Sequence, residues 1–442
     1  MRYSPIDPQL FTGNRARLSA LMQPNCLAVV NNNDVLPTNA DGTLVLHPGA
    51  DLFYLCGVEQ EESILLLFHG AHEAKNREIL FLREPTEHVQ IWEGTKLSRE
   101  EATKISGIAR VEWLGAFPGI FHALMCEAEG VYLNANEHPR AQVVVETREA
   151  RFVKETRESY PLHNYLRLAQ LLHQLRTVKS ADEVTLIRKA CTITRDGFDR
   201  VARFVKPGVT ENQVEAEFAH EFISQGAKFA YSPIIASGAN ALGLHYIQNS
   251  AVCREGELLL LDVGSSYYNY CSDMTRTIPV SGRFTPRQRQ VYDAVFRAYT
   301  TCAAALKPGL LAKEWRTIAQ ETVQKELVNL KLITMKQVRA QGPEKKALMK
   351  YFMHGVGHPI GLDVHDVQPA DAPLQPGWVM TCEPAIYIKE EGIAVRLEDT
   401  LLITETGAQS LMHDIPMEAD AIEEFMNAGS VKPKSKGGKR RS

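Results

Sequence analysis

Leu258-Leu259-Leu260-Leu261-Asp262-Val263-Gly264, followed after a polar turn by Cys271-Ser272-Asp273-Met274-Thr275, is the stretch on which the fold turns. A run of leucines ending at an aspartate reads as a buried strand with a carboxylate near its end. Burying an ionised carboxylate costs several kcal/mol unless something pairs with it. A hairpin centred between Tyr267 and Tyr268 sets Asp262 opposite Asp273. Directly opposed like charges destabilise a strand pair, so this arrangement wants a cation between them. The alternatives are that one aspartate caps a turn or pairs with Arg254 or Arg276.

Further along, His354-Gly355-Val356-Gly357-His358-Pro359-Ile360-Gly361-Leu362-Asp363-Val364-His365-Asp366 puts three histidines within twelve residues. A helical zinc site needs two histidines on one helix face. Gly355, Gly357 and Gly361 disfavour a helix, and Pro359 pushes His358 towards extended backbone. The helical reading is rejected. His358 then presents a ring nitrogen from an extended loop, and His354 and His365 are available to hydrogen-bond a substrate.

Trp378-Val379-Met380-Thr381-Cys382-Glu383-Pro384 reads as a strand ending in Glu383 and closed by Pro384. Ile393 to Ile403 reads as a second strand, whose period of two puts Arg396 and Glu398 on one face. An Arg396–Glu398 ion pair on a solvated edge is the plain alternative, but the flanking run is too apolar for an exposed strand. Asp262, Asp273, His358, Glu383 and Glu398 together form an oxygen-rich donor set of four carboxylates and one imidazole. Such a set favours Mn²⁺, Co²⁺, Fe²⁺ or Zn²⁺ in a carboxylate-bridged pair over a thiolate zinc. Two such ions clamp a water between them, lower its pKa and polarise a carbonyl.

The 442 residues leave room for two or three domains, and a 44% hydrophobic, 23% charged composition is that of an ordinary globular protein. A net charge of -4 predicts no general affinity for nucleic acid or acidic membranes. Eight scattered cysteines without a CxxC pair suit buried thiols in a reducing compartment. Met1 to Pro8 lacks the apolar core of a signal peptide, and no run of 18 apolar residues occurs. The expectation is a soluble, cytoplasmic protein.

In the first part of the chain, Cys26–Val30, Leu52–Leu55, Ile64–Phe68 and Ile79–Leu82 read as short buried strands. Tyr165 to Arg176 has a helical pattern. Ser180-Ala181-Asp182-Glu183 is a capping-box signature ahead of a periodic segment from Val184 to Val205, stopped by Pro207-Gly208. Further helices are expected from Thr210 to Gln225, from Pro286 to before Pro308, and from Leu311 to Leu330. The fold class is α/β (α+β), with an N-terminal mixed α/β domain over 1–168 and a catalytic domain over 169–415. A basic tail over 428–442, without an apolar residue after Val431, is expected to be disordered.

Taken in order, the segments resemble the pita-bread metallopeptidases, specifically the aminopeptidase P and prolidase branch, over about residues 10 to 410. The marks are Leu175-Arg176-Thr177-Val178-Lys179-Ser180 with Glu183, Leu244-His245-Tyr246, and Asp262 with Ser272-Asp273-Met274-Thr275-Arg276-Thr277. The histidine loop, Cys382-Glu383-Pro384 and Arg396-Leu397-Glu398-Asp399 complete them, and Gly49 to Gly57 resembles that branch's N-terminal domain. The resemblance implies a pita-bread catalytic domain in which Asp273 and Glu398 bridge two divalent metals, with Mn²⁺ the first choice. It implies that Asp262 completes one metal's shell and that His358 with Glu383 completes the other's. It also implies that His365 steadies the tetrahedral intermediate, that His245 and His354 contact substrate, and that Glu383 shuttles a proton. Arg396 is placed beside the proline pocket, and a homo-oligomer, dimer or tetramer, is expected.

The implied activity is release of the N-terminal residue from peptides with Xaa-Pro at their start, with Xaa-Pro dipeptidase (prolidase) as the alternative. Methionine aminopeptidases normally lack the long N-terminal domain. Creatinase-like chemistry does without the metals, and members of the fold that became binding proteins generally lose ligands that are present here. Two departures, Pro359 directly after His358 and a short Asp366 to Pro376 segment without a basic residue, bear on substrate length rather than on the metal set.

Overall fold

The computed structural model describes residues 5–141, 144–342 and 346–428. The expected basic tail falls, from residue 429 on, outside the described residues. The chain divides into two compact units, one from the N-terminus to Thr177 with Val367–Pro369, the other from Val178 to Asp366 and onward from Ala370. No helix among the described residues is long and apolar enough to cross a membrane. The architecture is mixed α/β, as the alternation of periods in the sequence predicts.

The first unit is built on a six-stranded sheet, in the order Arg110–Trp113, Glu78–Leu82, Ile64–Leu67, Cys26–Asn31, Gly130–Leu133, Asn164–Arg167. The central three strands pair antiparallel, and the flanking ones add in parallel. Leu27, Val29, Leu66, Phe68, Ile79 and Phe81 face a core shared with Phe121, Leu124 and Met125 of the helix Phe117–Glu127. Leu52–Leu55, expected as a strand, lies instead in the helix Ala50–Cys56. Its five residues from Leu52 to Cys56 are all buried, so no polar face discloses the helical period, and the helix ends at Gly57 in the left-handed conformation, φ 68°. The start of the expected Tyr165–Arg176 helix is also different. Asn164–Arg167 joins the sheet edge, and the helix begins at Ala169.

In the second unit the long helices fall where their caps predict. Ala181–Phe204 opens on a Ser180–Glu183 capping box, Glu211–Ser224 on Thr210, and Pro286–Ala305 on Thr285 with Pro286 at its first turn. Ala312–Asn329 follows. The strand Leu258–Asp262 lies between Ile234–Ser237 and Thr275–Pro279, both antiparallel to it. Val379–Cys382 pairs with Asp399–Thr404, and Ala385–Ile388 with Ile393–Arg396. The single strand expected over Ile393–Ile403 is thus two, broken at Leu397-Glu398, and each half pairs with a different partner.

Candidate metal centre

The turn after Leu258–Asp262 differs by one residue from the expected register. Tyr267 pairs with Tyr270, and Asp262 with Thr275, so the hairpin centres between Tyr268 and Asn269. Both turn residues have positive φ, 53° and 63°, the conformation of a type I′ turn. Asp273 is therefore not cross-strand from Asp262. The two carboxylates meet instead on Tyr231, whose hydroxyl lies 2.6 Å from Asp262 Oδ1 and 2.6 Å from Asp273 Oδ1.

Asp273, His358 and Glu398 bring one ligand atom each to within 4.8 Å of one another. Glu398 arrives from the break between two strands, where an isolated bridge joins it to Thr275 and the Thr275 hydroxyl donates to its Oε2 at 2.7 Å. His358 comes from the non-helical glycine-rich loop, tied to the strand Val379–Cys382 by the Pro359–Met380 bridge and by its own N–H donating to the Thr381 hydroxyl at 3.1 Å. Gly357 is required there, because a Cβ would run into the Thr381 carbonyl. Glu383 Oε1 stands 3.7 Å from His358 Nε2, and Glu383 Oε2 stands 3.7 Å from His354 Nδ1. His358 Nε2 is 3.6 Å from Asp273 Oδ2. All five residues singled out as ligands from the sequence thus connect, three directly, Glu383 through His358, and Asp262 through Tyr231.

Arg396 pairs with Asp262 rather than Glu398, as its Nη2 donates to Asp262 Oδ2. Its Nε reaches the Thr275 hydroxyl at 3.1 Å and its Nη1 the Tyr387 hydroxyl at 2.8 Å. Burial pushes the His354 imidazole down to about 4, with Arg396 and His245 acting the same way, so the ring is neutral at physiological pH. Nδ1 lies 2.7 Å from the Gly355 carbonyl and must carry the proton; Nε2, 2.9 Å from Tyr387 Oη, therefore accepts. Both His354 nitrogens are thereby engaged, and a substrate hydrogen bond would have to exchange with one of them. His365 and His245 are exposed; the His365 ring stands edge-on to His358 with centroids 4.3 Å apart.

Electrostatically the site is short of positive charge. Burial first, then the Asp262 charge, raises the Asp273 carboxyl well above the usual range; burial, then Asp273 and Asp262, does the same to Glu398. Among the described residues, Arg396 is the guanidinium paired into this cluster of carboxylates, since the neighbouring Arg276 is taken by Asp399 at 2.8 Å. An oxygen-rich set with one imidazole and excess buried negative charge fits hard or borderline divalent cations. Tyr231 and Tyr387 were not singled out from the sequence, and Thr275 was read only as part of the Ser272–Thr277 mark, with no role of its own. Each acts on residues distant in the chain, and none has a local spacing that marks it.

The chain matches the family model for metallopeptidase family M24 over residues 185–405 and the model for the aminopeptidase P N-terminal domain over residues 11–132. It is 31% identical to the Xaa-Pro aminopeptidase of Escherichia coli over 441 residues, which is 96% of this chain and 99% of that protein. It is 27% identical to the mitochondrial intermediate cleaving peptidase 55 of Arabidopsis thaliana, over 94% of this chain and 82% of the relative. Among solved structures, aminopeptidase PepP of Pseudomonas aeruginosa superposes with a TM-score of 0.87 at 30% identity, covering 97% of this chain and 100% of that one. Zinc-substituted Escherichia coli aminopeptidase P in complex with product gives 0.85 at 30% identity, with 96% and 99% covered. An aminopeptidase P N-terminal domain ahead of a pita-bread domain is the architecture expected from the sequence, and the chain belongs to metallopeptidase family M24.

Proposed function

We propose that this metallopeptidase is an Xaa-Pro aminopeptidase, releasing the N-terminal residue from peptides with proline in second position. The observation that carries the reading is the convergence of Asp273, His358 and Glu398 ligand atoms within 4.8 Å, in a chain similar over nearly its whole length to the Escherichia coli Xaa-Pro aminopeptidase. Asp273 and Glu398 would bridge two cations, Asp262 would complete one shell, and His358 with Glu383 the other. Mn²⁺ is the first choice, with Co²⁺, Zn²⁺ or Fe²⁺ able to take the same donors. When bound there, two such cations would supply Lewis acidity for the scissile carbonyl and lower the pKa of a bound water.

The remaining work falls to this chain's own side chains. Glu383, half-buried and 3.7 Å from both His358 and His354, would take a proton and pass it to the leaving nitrogen, and its nearness to both rings supports that role. His365, exposed beside His358, is the donor for the oxygen that becomes negative in the tetrahedral intermediate. His245 and His354 flank the scissile bond, and Arg396 fixes the Asp262 carboxylate beside the proline pocket. Eight free thiols, seven of them buried, support a reducing, cytoplasmic setting, and a homo-oligomer, dimer or tetramer, would cover apolar side chains such as Ile91 and Trp92.

Proline's missing N–H and fixed φ make the ring a rigid specificity element. With Mn²⁺ added, Xaa-Pro-Xaa tripeptides should lose their first residue, and Xaa-Ala-Xaa should be cleaved far more slowly. Hydrolysis of Xaa-Pro dipeptides alone would make the enzyme a prolidase. Equal cleavage of the proline and alanine peptides would remove both readings.

A further inference from the structure

Glu211 is the first residue of the helix Glu211–Ser224, wholly buried, and pairs with no lysine, arginine or histidine among the described residues. Its carboxylate is satisfied by four donors on one stretch of chain. Oε1 accepts from the Ser237 N–H at 2.7 Å and from the Asn240 amide at 3.1 Å; Oε2 accepts from the Tyr246 hydroxyl at 2.7 Å and from the Ala251 N–H at 2.8 Å. The Glu211 N–H closes the ring by donating to the Ala251 carbonyl at 2.9 Å. A buried carboxylate with no counter-charge is retained only when its lone pairs are filled, and hydrogen bonds to an ionised acceptor are roughly twice as strong as neutral ones.

The stretch so tied runs from the end of the strand Ile234–Ser237 to Ala251 and carries His245. Leu244 and Tyr246, on either side of His245, pack partly buried against the core, while His245 is exposed and acts electrostatically on His354. Asn249, buried with φ 46°, closes the far side through bonds from Ile235 and to Glu215 and the Pro233 carbonyl. We infer that Glu211 is a positioning residue for substrate binding: by gripping Ser237, Asn240, Tyr246 and Ala251 it sets where His245 stands. This rests on the reading of His245 as a substrate contact. A glutamine at 211 keeps the shape but turns an amide NH₂ towards N–H donors that cannot become acceptors.

The experiment uses the full chain with Mn²⁺ and an Xaa-Pro-Xaa tripeptide, comparing wild type, Glu211→Gln, His245→Ala and the double variant. Glu211→Gln should lower kcat/KM by about tenfold to a hundredfold, as displacement of a substrate contact does. The double variant should be no worse than His245→Ala alone, because neighbours acting as one unit are not additive. Losses that multiply would overturn the inference while leaving His245 as a substrate contact. A His245→Ala variant as active as wild type would instead remove His245 from the site reading, and the positioning role with it. Carbethoxylation of His245 read by mass spectrometry, against exposed His413 as internal control, needs no substrate. Its rate should change in Glu211→Gln relative to His413, and an unchanged ratio would overturn the inference. Should Glu211→Gln fail to fold, Tyr246→Phe removes one of the four donors and runs through the same comparisons.

Discussion

The Lys179 ammonium donates to Asp366 Oδ2 at 3.0 Å, and each side chain is only 1% exposed. Asp366 directly follows His365, and its N–H donates to the Pro359 carbonyl, so the pair anchors the far end of the loop that carries His358 and His365. Gly361 leaves the room: a Cβ there would run into Asp366 Oδ2 and stand 2.9 Å from Lys179 Cε. Removing one partner of a buried pair strands the other's charge and costs on the order of 3–5 kcal/mol, whereas replacing both with apolar groups costs much less. Lys179→Met should therefore lower unfolding stability by about that amount, and Lys179→Met/Asp366→Leu should recover a good part of it. Urea titrations in which the double variant is no more stable than the single one would show that the pair is not the anchor.

Tyr231 has one hydroxyl proton and two carboxylate oxygens at 2.6 Å, so it orients Asp262 and Asp273 towards each other. Burial, then the Asp262 and Asp273 charges, holds its own pKa well above the phenol's usual value, and it stays a donor. Groups that orient metal ligands are worth roughly 10–100-fold in affinity. Tyr231→Phe should bind Mn²⁺ weaker by about that factor, measured by calorimetry. Unchanged affinity would mean the hydroxyl only fills space.

Metal itself should stabilise the fold. The four carboxylates of the proposed site carry excess buried charge in its absence, and a ligand that binds only the folded state stabilises it by about 2.7 kcal/mol at a hundredfold excess over Kd. Chelation should abolish hydrolysis and lower Tm, and Mn²⁺ or Co²⁺ should restore both. Full activity in strong chelator with only trace metal by elemental analysis would refute a metal-dependent mechanism.

Legibility in the sequence followed the range of the interaction. The Ser180–Glu183 box, Thr210 and Thr285–Pro286 act within one turn, and the helices they open were readable from those residues alone. The five candidate ligands stood out because carboxylates at the ends of apolar strands and histidines in a glycine-rich loop are costly without a role, and three of them, Asp273, His358 and Glu398, converge. The hairpin register was not, since Tyr268 and Asn269 turn with positive φ where glycine would have announced it. Ala50–Cys56 hid its helix because its apolar residues are buried on every side. Tyr231 and Tyr387 were silent, and Lys179 was legible only as part of the Leu175–Ser180 mark and not as an ion-pair partner, because the partners come from elsewhere in the chain; Lys179 meets Asp366 across 187 residues.

Glu149 gives the first unit a pH dependence independent of the metal centre. Its carboxylate accepts from the Asn31 N–H and side-chain amide, both at 2.8 Å, yet burial outweighs these bonds and its pKa is pushed up to about 7. In the unfolded chain the group titrates near 4.5. The folded state therefore holds the proton that the unfolded state has lost, and stability falls as pH rises from about 4.5 to about 7. The full shift corresponds to roughly 3 kcal/mol at 1.36 kcal/mol per pH unit. Glu149 is half-buried by accessible surface, so solvent screening makes this an upper bound. Glu149→Gln has no charge to bury: it should be less stable than wild type, or equal, at pH 5 and should gain on it steadily towards pH 8. The reading is the difference in unfolding free energy between the two full-length proteins at each pH. A difference that stays constant across that range would mean the Glu149 carboxyl titrates normally and its burial costs nothing.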